Sequence, residues 1–261
     1  MLQYFIYFLV AISATTVGAI TGMGGGVIIK PLLDVLGDYD VSTIGVLSSM
    51  AVFTMSLVSI GKQIAQRTEI RHIIVIPIAI GSVLGGLLGQ KMLEISVANI
   101  PDNDMVVVMQ NAILCILILG VFIYMRSKDH IRTLGLSGFV PAGLTGIVLG
   151  ILSSFLGIGG GPFNVAIIMF LFSFDIKTAT MCSIITILFA QISKLLSVTL
   201  TVGLQVFDLS MLPYMLAGAV AGGYFGAVIN RALPDKKVEF FFNSVQIIVL
   251  AIAILNIVSH I

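Results

Sequence analysis

The chain is short of charge. Its 13 Lys and Arg and 12 Asp and Glu make up 10% of 261 residues, where a soluble domain carries about 25%. That excludes a soluble globular protein, as do a 58% hydrophobic content and a mean hydropathy of +1.15. A net charge of +1 with no basic stripe gives no reason to expect nucleic acid as a partner. Only two cysteines occur, Cys115 and Cys182, both inside apolar runs, so packing is expected of them and a disulfide is not. The three histidines, His72, His130 and His260, fall at segment edges or in loops. They build neither a metal site nor a His-Glu-x-x-His protease motif, and nothing calls for a cofactor. Paired carboxylates and nucleophile–base pairs are also missing, so no enzyme is expected. No carboxylate lies in mid-segment either: Asp34, Asp40, Asp175 and Asp208 are all near segment ends.

What the chain has instead is apolar length. A membrane helix needs about 20 apolar residues. Eight segments qualify, at roughly 4–22, 43–61, 72–90, 105–125, 135–156, 178–201, 209–230 and 239–258. Two shorter apolar pieces, 27–36 and 162–172, read as half-helices or short tilted crossings. The start, Met1-Leu2-Gln3-Tyr4, lacks a basic region and is expected to enter a first transmembrane helix rather than a cleaved signal. The expectation is a single all-α polytopic membrane domain over 1–261, in the cell membrane, with the lipid bilayer as its surroundings.

Each short piece follows a glycine run. Gly22-Met23-Gly24-Gly25-Gly26 recurs 135 positions later as Gly157-Ile158-Gly159-Gly160-Gly161. Such a run stops a helix and frees backbone groups, which hydrocarbon cannot satisfy. Paired breaks in two halves are the usual pointer to a transporter's substrate site. At the same offset Asp40 matches Asp175, Thr43 matches Thr178 and Ser48 matches Ser183. After a small shift, Gly81, Gly85, Gly86 and Gly89 match Gly218, Gly222, Gly223 and Gly226. The chain therefore reads as two homologous halves, about 4–125 and 135–258. The spacing of four among these later glycines is a close-packing device between membrane helices.

The basic residues cluster in three loops: Lys62, Arg67 and Arg71; Arg126, Lys128 and Arg132; Arg231, Lys236 and Lys237. Basic loops prefer the cytoplasm. The second-half counterpart of 62–71 is 197–208, with no Lys or Arg, and the first-half counterpart of 231–237 is 91–104, with the acids Glu94, Asp102 and Asp104. Basic character has changed places between the halves, as two repeats of inverted topology require. Inversion needs an odd number of crossings per half, so each short glycine-headed piece must alter the parity. A parallel repeat is the alternative.

A duplicated protein of about eight spans, opening each half with Gly-x-Gly-Gly-Gly, resembles the sulfite exporter TauE/SafE family. The motif stands here as Thr21-Gly22-Met23-Gly24-Gly25-Gly26-Val27-Ile28-Ile29-Lys30-Pro31 and as Gly157 to Pro162. The resemblance covers nearly the whole chain. It implies export of a small anionic substrate, such as sulfite or a sulfonate, linked to protons. Ala166 stands where the first half has Pro31, and Pro162 moves forward, so the half-sites differ.

An oxyanion needs several N–H or O–H donors and positive charge. A half-helix that starts at a glycine run offers both, which nominates Gly24, Gly25 and Gly26 with Gly159, Gly160 and Gly161. Lys194 has apolar sequence on both sides, and Gln191 shares its helix face. Snorkelling toward Thr201 is the rival reading of Lys194. Lys30, Asn164, Ser48 and Ser183 complete the candidate set. With no mid-segment carboxylate, the anion itself or an end group such as Asp34 would carry a coupled proton. The sequence leaves room for a homo-oligomer. A passive anion channel, or a permease for another small organic anion, is the alternative function.

Overall fold

The computed structural model describes residues 2–65, 71–100, 103–158 and 160–259. They form ten α-helices: α1 Leu2–Thr21, α2 Gly26–Leu36, α3 Val41–Ala65, α4 His72–Asn99, α5 Asn103–Ser127, α6 Phe139–Phe155, α7 Pro162–Phe172, α8 Ile176–Thr201, α9 Leu212–Ala232 and α10 Asp235–Ser259. No strand occurs among the described residues. Five helices lie in each half, and the second of each five is the 11-residue helix that follows a glycine run. Arg67, Asp102 and His260 lie outside the described residues.

Among the described residues, seven helices are long and apolar enough to cross a membrane. The eighth expected span, 135–156, is the shorter α6 of 17 residues. Gly135 (φ +57°) and Gly138 (φ +105°) hold backbone that a helix cannot use. The chain before α6 instead satisfies the free end of α7: the N–H groups of Leu134 and Leu136 donate to the carbonyls of Phe170 (3.0 Å) and Leu171 (2.7 Å). α4 exceeds its expected end, running on through Glu94 to Asn99.

Local chemistry sets the helix ends. α2 stops at Gly37 (φ +69°), whose N–H returns to the Leu33 carbonyl at 3.2 Å. The repeated Asp/Thr pairs are helix caps. Asp40 accepts from the Thr43 N–H and hydroxyl, and Asp175 accepts from the same two groups of Thr178, which satisfies first-turn donors of α3 and α8.

The halves interlock. α4 runs along α6 and α1 along α9; α4 meets α8 as α3 meets α9; α2 meets α10 as α5 meets α7. The glycine stripes are the contact faces. A Cβ at Gly81, Gly85 or Gly89 would collide with the carbonyl of Gly143, Ile147 or Ile151 on α6. Gly218, Gly222 and Gly226 meet backbone of α1 in the same way, at Phe8, Ile12 and Thr16. Gly86 and Gly223 face sideways, toward Ala190 on α8 and Met55 on α3. Packing is therefore what these stripes do.

Candidate functional site

α1 and α6 both end inside the protein. Gly22 (φ +75°) and Gly24 (φ +69°) turn the chain out of α1, and Gly157 (φ +67°) and Gly160 (φ +123°) turn it out of α6. An L side chain rarely adopts such backbone. Gly159 lies outside the described residues. The two breaks abut, as their duplication predicts. A Cβ on Gly26 would strike the carbonyl of Ile158, and one on Gly160 would stand 3.4 Å from the carbonyl of Met23. Val52 of α3 closes on Gly26, and Ile187 of α8 closes on Gly160. α2 and α7 start from this junction with N-caps Gly25 and Gly161, neither of which has a side chain to cap the first-turn N–H groups.

The environments of the two breaks differ. At the first, side chains take up the freed carbonyls. Asn230 donates to the Ile20 carbonyl at 2.5 Å. Thr180 donates to Thr21 at 3.3 Å, and Ser183 to Gly22 at 2.6 Å. Ser183 is thus a tie between α8 and the first break.

At the second break the neighbours are cations. From the Cβ position of Gly157, Lys30 Cε lies 3.1 Å away and Lys194 Nζ 3.9 Å. Lys30 starts on α2, just after the first break, yet reaches across to the second. Lys194 is 1% exposed and donates to the Gly45 carbonyl at 3.2 Å. It is directed into the protein, against the snorkelling alternative. Ser48, which stands at the same offset as Ser183, has no hydrogen-bond partner for its Oγ among the described residues. Neither do the amide groups of Asn164 and Gln191, both fully buried. Leaving a buried amide unpaired costs about 1–3 kcal/mol, so four polar atoms on α7 and α8 are held at a cost that a polar ligand would offset. Gln191 is one turn from Ile187, and Ser48 one turn from Val52, so both lie close along the chain to the junction.

Asp34 stands in the last turn of its segment, as expected, and there it is 6% exposed and paired with Lys30 Nζ at 3.2 Å. One face of α2 packs against protein, so Asp34 is buried although Val35 and Leu36 of the same turn are exposed. The i, i+4 spacing of Asp34 from Lys30 was the available signal. Sequence reasoning also passed over Gln110, which donates to the Phe155 carbonyl at 2.6 Å and so serves the end of α6. Gln246 on α10 is fully buried, with neither amide atom partnered among the described residues. An amide within an apolar run was the signal for both.

A cavity of about 510 Å³ reaches Lys194 from the side where α3 begins and α4 and α8 end. Val46, Leu93 and Val198 give it apolar walls, while Gln90, Glu94 and Asp40 supply its polar groups. Gln90 donates to Glu94 at 3.0 Å.

Residues 7–254 match the family described as Sulfite exporter TauE/SafE. The chain belongs to that family. Neither a curated protein nor a solved structure matches it. As a TauE/SafE protein it is a multi-pass membrane transporter of sulfur-containing anions, in a family of transporters rather than enzymes. The duplicated glycine motif and the long apolar helices are the features this chain brings to that family.

Proposed function

We propose that the protein exports sulfite, a sulfonate or a similar small anion across the cell membrane, coupled to protons, with the anion held at the second glycine break. The observation that carries this reading is the convergence of Lys30 and Lys194 on Gly157, beside the uncapped start of α7. The Gly160 and Gly161 region and the first turn of α7 provide N–H groups and the positive end of a helix dipole. Asn164, Gln191 and Ser48 add neutral donors. The first break, with Gly24, Gly25 and Gly26, packs against this site and fixes its geometry.

The matched contacts between the halves support two related repeats moving against each other around a central site, and the exchange of basic loops between them favours opposite orientation. The 510 Å³ cavity gives Lys194 access from one side, while Gly26, Ile158, Val52 and Ile187 close tightly around the junction. A site open to one side favours alternating access over a passive channel. The test is flux of radiolabelled sulfite and sulfonates in proteoliposomes, with and without a pH gradient. Saturable flux that follows the gradient is expected. Flux that neither saturates nor responds to protons would make the protein a channel.

A further inference from the structure

A second cavity, of about 460 Å³, runs between α5 and α7. Gly120, Val121 and Tyr124 line it from α5, Phe163, Ala166 and Phe170 from α7, and Ile131 from the loop that follows α5. Apart from the Tyr124 hydroxyl the lining is apolar, and none of it is shared with the cavity at Lys194. α5 is long and apolar enough to cross a membrane. The lining positions from Ile116 to Tyr124 follow its axis for about 12 Å, the direction in which a lipid acyl chain lies. Gly120 gives the groove its room. It stands in the interior of α5, where glycine weakens a helix relative to alanine. The glycine stripes of α4 and α9 offset that loss by close contact with another helix, but a Cβ at Gly120 meets nothing within 4 Å. Among the described residues, nothing uses the space it leaves.

The Ile131 end of the groove is basic. The loop 126–138 carries Arg126, Lys128, His130 and Arg132 against one acid, Asp129. Lys128 is paired with Glu239 of α10, and Arg126 lies on the α10 side of α5, beside Phe240 and Asn243. His130 and Arg132 flank Ile131 and are exposed. The backbone that bears them is fixed to the end of α7: the Leu134 N–H donates to the Phe170 carbonyl at 3.0 Å, and the hydroxyls of Thr133 and Ser173 lie 2.6 Å apart. Tyr124 packs edge-on against Phe170, as an aromatic residue at headgroup depth.

We propose that this groove binds an anionic phospholipid, with an acyl chain along α5 and α7 and the phosphate beside Arg132. Basic pockets between membrane helices recognise acidic lipid headgroups, and here an apolar slot continues inward from the basic rim. The acyl chain covers Phe163 and Ala166 in the first two turns of α7. It thereby braces from outside the half-helix that carries Asn164, whose packing within the protein is against α8 and α5. The lipid site does not depend on where the transported anion binds.

The test is native mass spectrometry of the detergent-purified protein, titrated with phosphatidylglycerol or phosphatidylcholine of the same acyl chains. Wild-type protein should prefer phosphatidylglycerol by about fivefold or more, the contribution of one basic side chain. Gly120→Leu fills the groove from an open position with a good helix former. It should weaken binding of both lipids on the order of tenfold, since displacing about two methylenes suffices for that. Arg132→Gln should remove most of the preference for phosphatidylglycerol, and Arg126→Gln, on the other side of α5, should leave it nearly intact. Equal binding of the two lipids by the wild-type protein, or undiminished binding by Gly120→Leu, overturns the proposal. So does an equal loss in the two arginine variants, which would mark diffuse attraction to a basic surface. A lipid-free wild-type dimer that Gly120→Leu breaks apart also overturns it, and would assign the groove to a second copy of the chain.

Discussion

Replacing Lys194 with methionine separates the charge at the second break from everything else the side chain does. Methionine keeps an unbranched apolar stem of similar length, so the packing of the buried methylenes survives. The Gly45 carbonyl is not orphaned, since Ser49 also donates to it at 2.5 Å. The local cost to the fold is therefore small, and removing an unpaired buried cation offsets it. Binding is another matter. Losing a hydrogen bond between a charged group and its ligand costs about 1.5–3 kcal/mol, which is on the order of tenfold to a hundredfold in affinity. The assay pairs calorimetric titration of methanesulfonate with thermal unfolding of the same detergent-solubilised protein. The expected result is a weakened affinity beside an unchanged or raised melting temperature. Unchanged affinity in a folded Lys194→Met protein would refute the role of the lysine and leave the N–H groups of α7 to hold the anion alone. A collapse of stability would instead show that Lys194 holds α3 to α8.

Other substitutions probe the frame around the site. Gly85→Ala drives a methyl into the Ile147 carbonyl and should destabilise the α4–α6 contact by about 1–3 kcal/mol, read as a lowered melting temperature. Gly61→Ala, with nothing within 4 Å of the new methyl, should be neutral or stabilise α3 by about 0.5–1 kcal/mol. Gly26→Ala, directed at the Ile158 carbonyl, should abolish flux in proteoliposomes even where some folded protein is recovered; wild-type flux would show that the breaks need not touch. Orientation can be read with single cysteines in a chain lacking Cys115 and Cys182. Positions 132 and 236 should both resist an impermeant thiol reagent outside intact cells, whereas position 204 should react. Labelling at 236 but not at 132 would establish a parallel repeat.

Glycine spacing made much of the frame legible in advance, because a glycine run and a four-residue stripe each have one physical consequence in a membrane helix. The breaks, the half-helices and the close-packed faces of α4 and α9 were all readable from it. Helix ends were less so. Hydropathy marks where a chain is apolar, not where Gly135 and Gly138 bend it, nor how far α4 continues past Gln90 among polar residues. At the site, Lys194 and Lys30 stood out as cations in apolar sequence, but not that both would reach Gly157. That meeting joins residues from α2, α6 and α8, far apart along the chain. Asp34 was placed at its segment end, but its burial and its pairing with Lys30 were not read from that position.

The interlocking of the halves also sets an order of assembly. α4 is followed closely in the chain by α6, so its glycine face is covered soon after synthesis. α1 meets α2 and α3 only slightly. Its long contact is with α9, so α1 must wait in the membrane until α9 has been inserted. A chain cut short before α9 would leave α1 without that partner, and the glycines Gly218, Gly222 and Gly226 that admit α1 so closely thus act as a late check on assembly of the two halves.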